Sequence, residues 1–112
     1  MDEEAAEIAR GAARRLNEQY PDLPPQVEAA IARGGAGAPG QFEVATAIAL
    51  SALLLNVAKF LYDIRKDQRA AAKLSRDALR RRVRLKLDDE GVPDTGQRSA
   101  VIEAVLDEVA AG

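Results

Sequence analysis

The sequence predicts an all-α chain, a compact bundle of four to five helices around a long apolar central helix. Three observations carry that prediction. Apolar residues recur at helical spacing in several separate segments, and Gly- or Pro-containing breakers fall between most of them. The apolar share of 47% comes almost entirely from Ala, Leu, Val and Ile, with 4% aromatics and no Trp, a composition suited to helices packed closely through small side chains. At 112 residues the chain has room for one core, so residues 1–112 are read as a single helical domain.

From about Asp2 to Tyr20, residues Ala5, Ile8, Ala9, Ala12, Ala13 and Leu16 form one stripe, with Glu and Arg on the opposite face. Acidic residues open this helix and Arg14 and Arg15 lie near its end, the order that the helix dipole favours. Tyr20-Pro21-Asp22-Leu23-Pro24-Pro25 ends it. Pro25 is tolerated in a first helical turn, and Val27, Ala30 and Ile31 supply the face of a second, short helix. Residues 34–41 concentrate glycine and form a flexible loop. A Walker-type phosphate loop would end in Gly-Lys-Ser/Thr after a strand, whereas Gln41-Phe42-Glu43 follows here, so nucleotide binding is not expected.

Residues 42–62 are nearly all apolar and show no narrow stripe, which leaves two readings: a buried core helix or a membrane span. The uncharged stretch from Val44 to Ala58 is interrupted by Thr46, Ser51 and Asn56 and is shorter than a span of about 20 residues, which favours the core. The Lys- and Arg-rich segment that follows matches the charge asymmetry of a single-pass anchor with its C-terminal side in the cytoplasm. Within the run, Asn56 is the one amide; it either demands a partner across an interface or bonds nearby backbone. With no Gly or Pro beyond Asp63, one helix from about Phe42 to Arg80 is the economical expectation. Residues 82–87 alternate polar and apolar like a half-buried strand, yet Leu79 and Val83 share a helical face, and the helical reading is preferred. Asp88 to Pro93 breaks the chain as a solvated, capping turn. Asp94 or Thr95 then caps a last helix bearing Val101, Ile102, Val105, Leu106 and Val109.

With neither Cys nor His, disulfides, thiolate nucleophiles, Cys-based metal sites and the usual general base are excluded. Asp88, Asp89, Glu90 and Asp94 do not satisfy a calcium-loop pattern. Tyr20, Phe42, Phe60 and Tyr62 are too few for a stacking platform and are assigned to the core. No catalytic residue, cofactor or metal is expected. The acidic start, Met1-Asp2-Glu3-Glu4, lacks the positive region of an export signal, so a cytoplasmic location is expected. The abundance of Ala and the preference for Arg over Lys suggest a GC-rich bacterial source.

The net charge of −2 conceals strong segregation, for residues 63–87 are strongly basic and residues 88–112 strongly acidic. Arg76, Arg80, Arg81, Arg82, Arg84 and Lys86 on the basic side, and Asp94, Glu103, Asp107 and Glu108 on the acidic side, are the candidate interaction residues. Aromatic interleaving, a basic arm and helix-turn-helix spacing are all missing, so nucleic acid is an unlikely partner. Two uses of the charges remain open: head-to-tail contact between copies, or the acidic helix folding back on the basic one within a chain. The expected function is a non-enzymatic helical protein-interaction module, an adaptor or self-assembling homo-oligomer of the kind found in bacterial signalling or defence. The competing expectation is a small membrane protein anchored by residues 42–62.

Overall fold

In the computed structural model, which describes residues 2–33, 47–67 and 74–111, the periodic segments fold into five helices: α1 (Glu3–Arg15), α2 (Leu23–Ala32), α3 (Ala47–Lys66), α4 (Arg76–Asp89) and α5 (Gly96–Ala111). Glu3 and Glu4 occupy the first turn of α1 and Arg14 and Arg15 its last, each favourably placed against the dipole. The helix buries Ala5, Ala6, Ile8, Ala9, Ala12 and Ala13. It stops at Arg15 rather than near Tyr20, and turns over residues 16–19 replace its expected last part. Pro21 disfavours helical backbone at the residue before it, which limits how far the helix can run. Helix α2 carries Pro24 and Pro25 in its first turn, where a missing N–H leaves no hydrogen bond unmade, and buries Leu23, Val27 and Ala30. The glycine-rich segment 34–41 lies outside the described residues.

Helix α3 is the central element, packing against each of the other four helices. That arrangement explains its lack of a narrow apolar stripe: Leu50, Leu53, Leu54, Leu55, Val57, Ala58 and Leu61 are all buried, on several sides of one helix. The buried Ser51 hydroxyl donates to the Ile48 carbonyl one turn back at 2.7 Å, so its burial leaves no donor unmatched. Among the described residues no helix is long and apolar enough to cross a membrane.

A single helix from 42 to 80 does not form. Helix α3 ends at Lys66 and α4 starts anew at Arg76, while residues 42–46 and 68–73 lie outside the description. The start of α4 is set by a cap: Ser75, in extended backbone, accepts from the Ala78 N–H at 3.2 Å. Residues 82–87 continue α4 as helix, with Val83 and Leu87 turned into the core and Leu79 packed beside them.

The connection to α5 is closed by main-chain geometry. Gly91 has φ +78°, a left-handed conformation that disfavours other residues. The Val92 N–H reaches the Leu87 carbonyl at 2.9 Å and the Gly91 N–H the Asp88 carbonyl at 3.1 Å, the paired bonds of a Schellman motif. Leu87 and Val92, the residues whose apolar contact usually accompanies that motif, are both buried. Thr95 then caps α5, its Oγ1 accepting from the Arg98 N–H at 3.2 Å. Val101, Ile102, Ala104, Val105 and Leu106 are buried. One contiguous core draws on all five helices: α1 packs on α2, α3 and α5, and α4 packs on α3 and α5.

Candidate interaction surface on the basic helix

Helix α4 has two edges with different electrostatic fates. On the edge facing α5, Arg80 forks onto Glu103, with Nε to Oε2 at 2.6 Å and Nη2 to Oε1 at 2.8 Å, and also bonds Asp77. Arg76 reaches Glu103 at 3.1 Å and Asp107 at 2.7 Å. The hydrogen bonds from Arg80, and then those from Arg76, outweigh partial burial and hold the Glu103 carboxyl down at about 2. These four residues, spaced at helical intervals on two adjacent helices, form a ladder that fastens α4 to α5. Folding back within one chain is therefore what this part of the charge pattern does.

Other candidates are also engaged inside the chain. Lys86 pairs with Glu90 and lies 5.2 Å from the centre of the Phe60 ring, linking α4 to α3 through charge and aromatic surface. Asn56 Nδ2 donates to Glu90 Oε2 at 2.8 Å, so its partner is a carboxylate of the same chain and not nearby backbone. Burial raises the Glu90 carboxyl, but the bonds from Lys86 and Asn56 bring it below the usual carboxylate range. Glu108 accepts from Arg15 of α1 at 2.7 Å. Asp94 is exposed, with its Oδ1 3.8 Å from Arg98 Nε.

The outer edge of α4 is different. Arg81, Arg82 and Arg84 are exposed, and no ion pair holds them among the described residues. Leu85 stands among them with 63% of its surface in water. Helical geometry explains the placement. Two residues along the chain is a rotation of about 200°, so with Val83 buried, Arg81 and Leu85 point away from the core. Arg82 and Arg84 flank that line. The result is a basic surface that ends at an apolar residue, with Asp88 and Asp89 one turn beyond Leu85, on a helix whose other edge is fixed by the Glu103 ladder.

Three residues gain a role that the sequence did not assign them. Arg98 is only 2% exposed; its Nη1 donates to Asp88 Oδ1 at 2.8 Å and to the Val92 carbonyl at 3.0 Å, clamping the α4–α5 connection, while among the described residues Nε has no hydrogen-bond partner. The available signal was its position as the one basic residue of the acidic segment 88–112. Gly11 lies under the Glu108 carboxylate: a Cβ built there would be 2.2 Å from Glu108 Cδ. Leu85 is out of phase with Val83 and Leu87 on a helix, a signal that requires the helical assignment first. Among the described residues no three acidic side chains converge as a metal site. No protein-family model, curated protein or solved structure matches the chain.

Proposed function

We propose that the chain is a non-enzymatic helical protein-interaction module, an adaptor or self-assembling domain, working in the cytoplasm of a bacterium in a signalling or defence setting. The observation that carries the reading is the outer face of α4, where Arg81 and Arg82 lie one turn before the exposed Leu85 and Arg84 lies beside it. Unneutralised guanidiniums steer an acidic surface and fix its orientation, and an exposed leucine supplies apolar area for a partner to cover. The rest of α4 supports presentation of that face, because the Glu103 ladder and the buried Val83 and Leu87 hold the helix in place without using the outer residues. Acidic Asp77 and Asp89 on the same helix, and a leucine between the arginines and Asp89, suit a protein surface better than a phosphate backbone.

The test is the light-scattering mass of the purified chain across a salt series, for the native sequence and for the Arg81→Glu, Arg82→Glu double variant. The native chain is expected to form an oligomer that weakens as salt rises, and the double variant to be monomeric with unchanged helix content. An oligomer indifferent both to salt and to the charge reversal would overturn the reading, as would a mass that changes only when nucleic acid is added.

A further inference from the structure

We infer that the acidic partner of the α4 face is a second copy of this chain, docked through a groove formed by α1, α3 and α5. This rests on the reading that the α4 face is an interaction surface. The groove has a volume of about 430 Å³. Ile8 and Tyr62 give it an apolar lining, and the side chains of Glu3, Glu4, Glu7 and Glu108 line it with them, outnumbering those of Arg14 and Arg65. The two surfaces are complements: on α4 three cations lie before and beside an exposed leucine, and in the groove carboxylates outnumber cations beside apolar surface.

Availability of charge agrees with that match. Glu4 makes no ion pair among the described residues. Glu3 is 81% exposed at its side chain and only 3.4 Å from Arg10, which is held more closely by Glu7 at 2.7 Å and Glu28 at 2.6 Å. Glu7 is itself 58% exposed. Arg81, Arg82 and Arg84 therefore meet carboxylates that the chain has left wholly or partly in water, so bringing them together sacrifices few existing bonds. Seating Leu85 on Ile8 and Tyr62 removes from water the most exposed large apolar side chain among the described residues.

The same molecule cannot make this contact with itself. Helix α4 packs on α3 and α5 and does not touch α1, which supplies most of the groove's acidic rim. The two faces are different surfaces, so copies join either head to tail, as a ring or an open chain, or reciprocally as a two-fold pair that uses both contacts.

The experiment compares three samples by light scattering at low salt: the Arg81→Glu, Arg82→Glu variant, the Glu4→Lys, Glu7→Lys variant, and their equimolar mixture. Each variant alone is expected to lose association on the order of 100-fold, because like charges then face each other. The mixture is expected to recover at least the mass of a heterodimer, since the native α4 face of one variant meets the native groove of the other, and more where the two reversed faces, again opposite in charge, also pair. Circular dichroism of each variant, matching that of the native chain, separates lost docking from lost folding. If the α4 variant dissociates while the groove variant still assembles, the groove assignment is overturned and the α4 reading stands. If neither variant changes the mass, both fall. A mixture that stays monomeric after both variants dissociate overturns the pairing of these two faces.

Discussion

Asp88 lies in the last turn of α4, where a carboxylate opposes the helix dipole and where alanine is the better helix former. On a helix with no other contact, Asp88→Ala would therefore stabilise by about 0.5 kcal/mol. Here the carboxylate is the anionic partner of the buried Arg98, whose side chain is 2% exposed against 60% for Asp88. Removing one member of a buried pair strands the other charge, at about 3–5 kcal/mol when both are enclosed. Water reaches the Asp88 end, and Asp94 stands 3.8 Å from Nε, so the expected loss is about half of that, roughly 2 kcal/mol. The reverse substitution behaves differently. Arg98→Met returns Asp88 to water, removes the unpartnered Nε and fills similar volume with apolar atoms; what it loses is the donor to the Val92 carbonyl, about 1 kcal/mol. Asp88→Ala should thus lower the melting temperature by about 8 °C and Arg98→Met by about 4 °C, at the slope expected for a chain of this size. Urea and thermal unfolding followed by circular dichroism provide the readout. A neutral or stabilising Asp88→Ala, or an Arg98→Met that is the worse of the two, would refute the clamp as described.

Two further expectations concern the charged contacts of α5. The Glu103 carboxyl is depressed from an ordinary 4.5 to about 2 in the folded chain, so the unfolded chain binds the proton more readily. Its contribution to stability is fully present above pH 4.5 and disappears as pH falls through about 2. With the side chain 43% exposed, solvent screening reduces that contribution to about 1 kcal/mol. Glu103→Gln should flatten the loss of urea resistance across this acid range, and parallel pH profiles for the two proteins would count against the ladder. Gly11→Ala should be close to neutral in the native background. The gain of about 1 kcal/mol in helix propensity is offset as the new methyl displaces Glu108 from Arg15. In a Glu108→Ala background the same substitution should stabilise by about 1 kcal/mol, and equal effects in the two backgrounds would show that Gly11 and Glu108 are not coupled.

The helices whose periodicity carries their identity were legible from residues alone. The stripe of Ala5, Ile8, Ala12 and Leu16 needs no tertiary information, because burial on one face is written into spacing, whereas the run through Leu53 to Leu61 is legible as an apolar helix but not as one enclosed by protein. Bounds were harder to read where a single side chain sets them. Ser75 starts α4 in a stretch without glycine or proline, where a side-chain cap and not a breaker marks the boundary. Of the candidate interaction residues, the charge blocks identified the elements but not the division of labour within them.

Sequence determined that this chain is helical, that its central segment is apolar on every side, and that charge is segregated between its last two helices. Only the tertiary structure decided which charges are used internally. Arg76 and Arg80 sit one turn apart on the edge that meets Glu103 and Asp107, whereas Arg81 and Arg82 fall on other sides of the same helix and Arg84, one turn beyond Arg80, is exposed with no ion pair among the described residues. The burial of Arg98 and the exposure of Leu85 have the same origin. Composition and spacing fix what a helix can offer on each face, but which face meets a neighbour depends on how the helices pack.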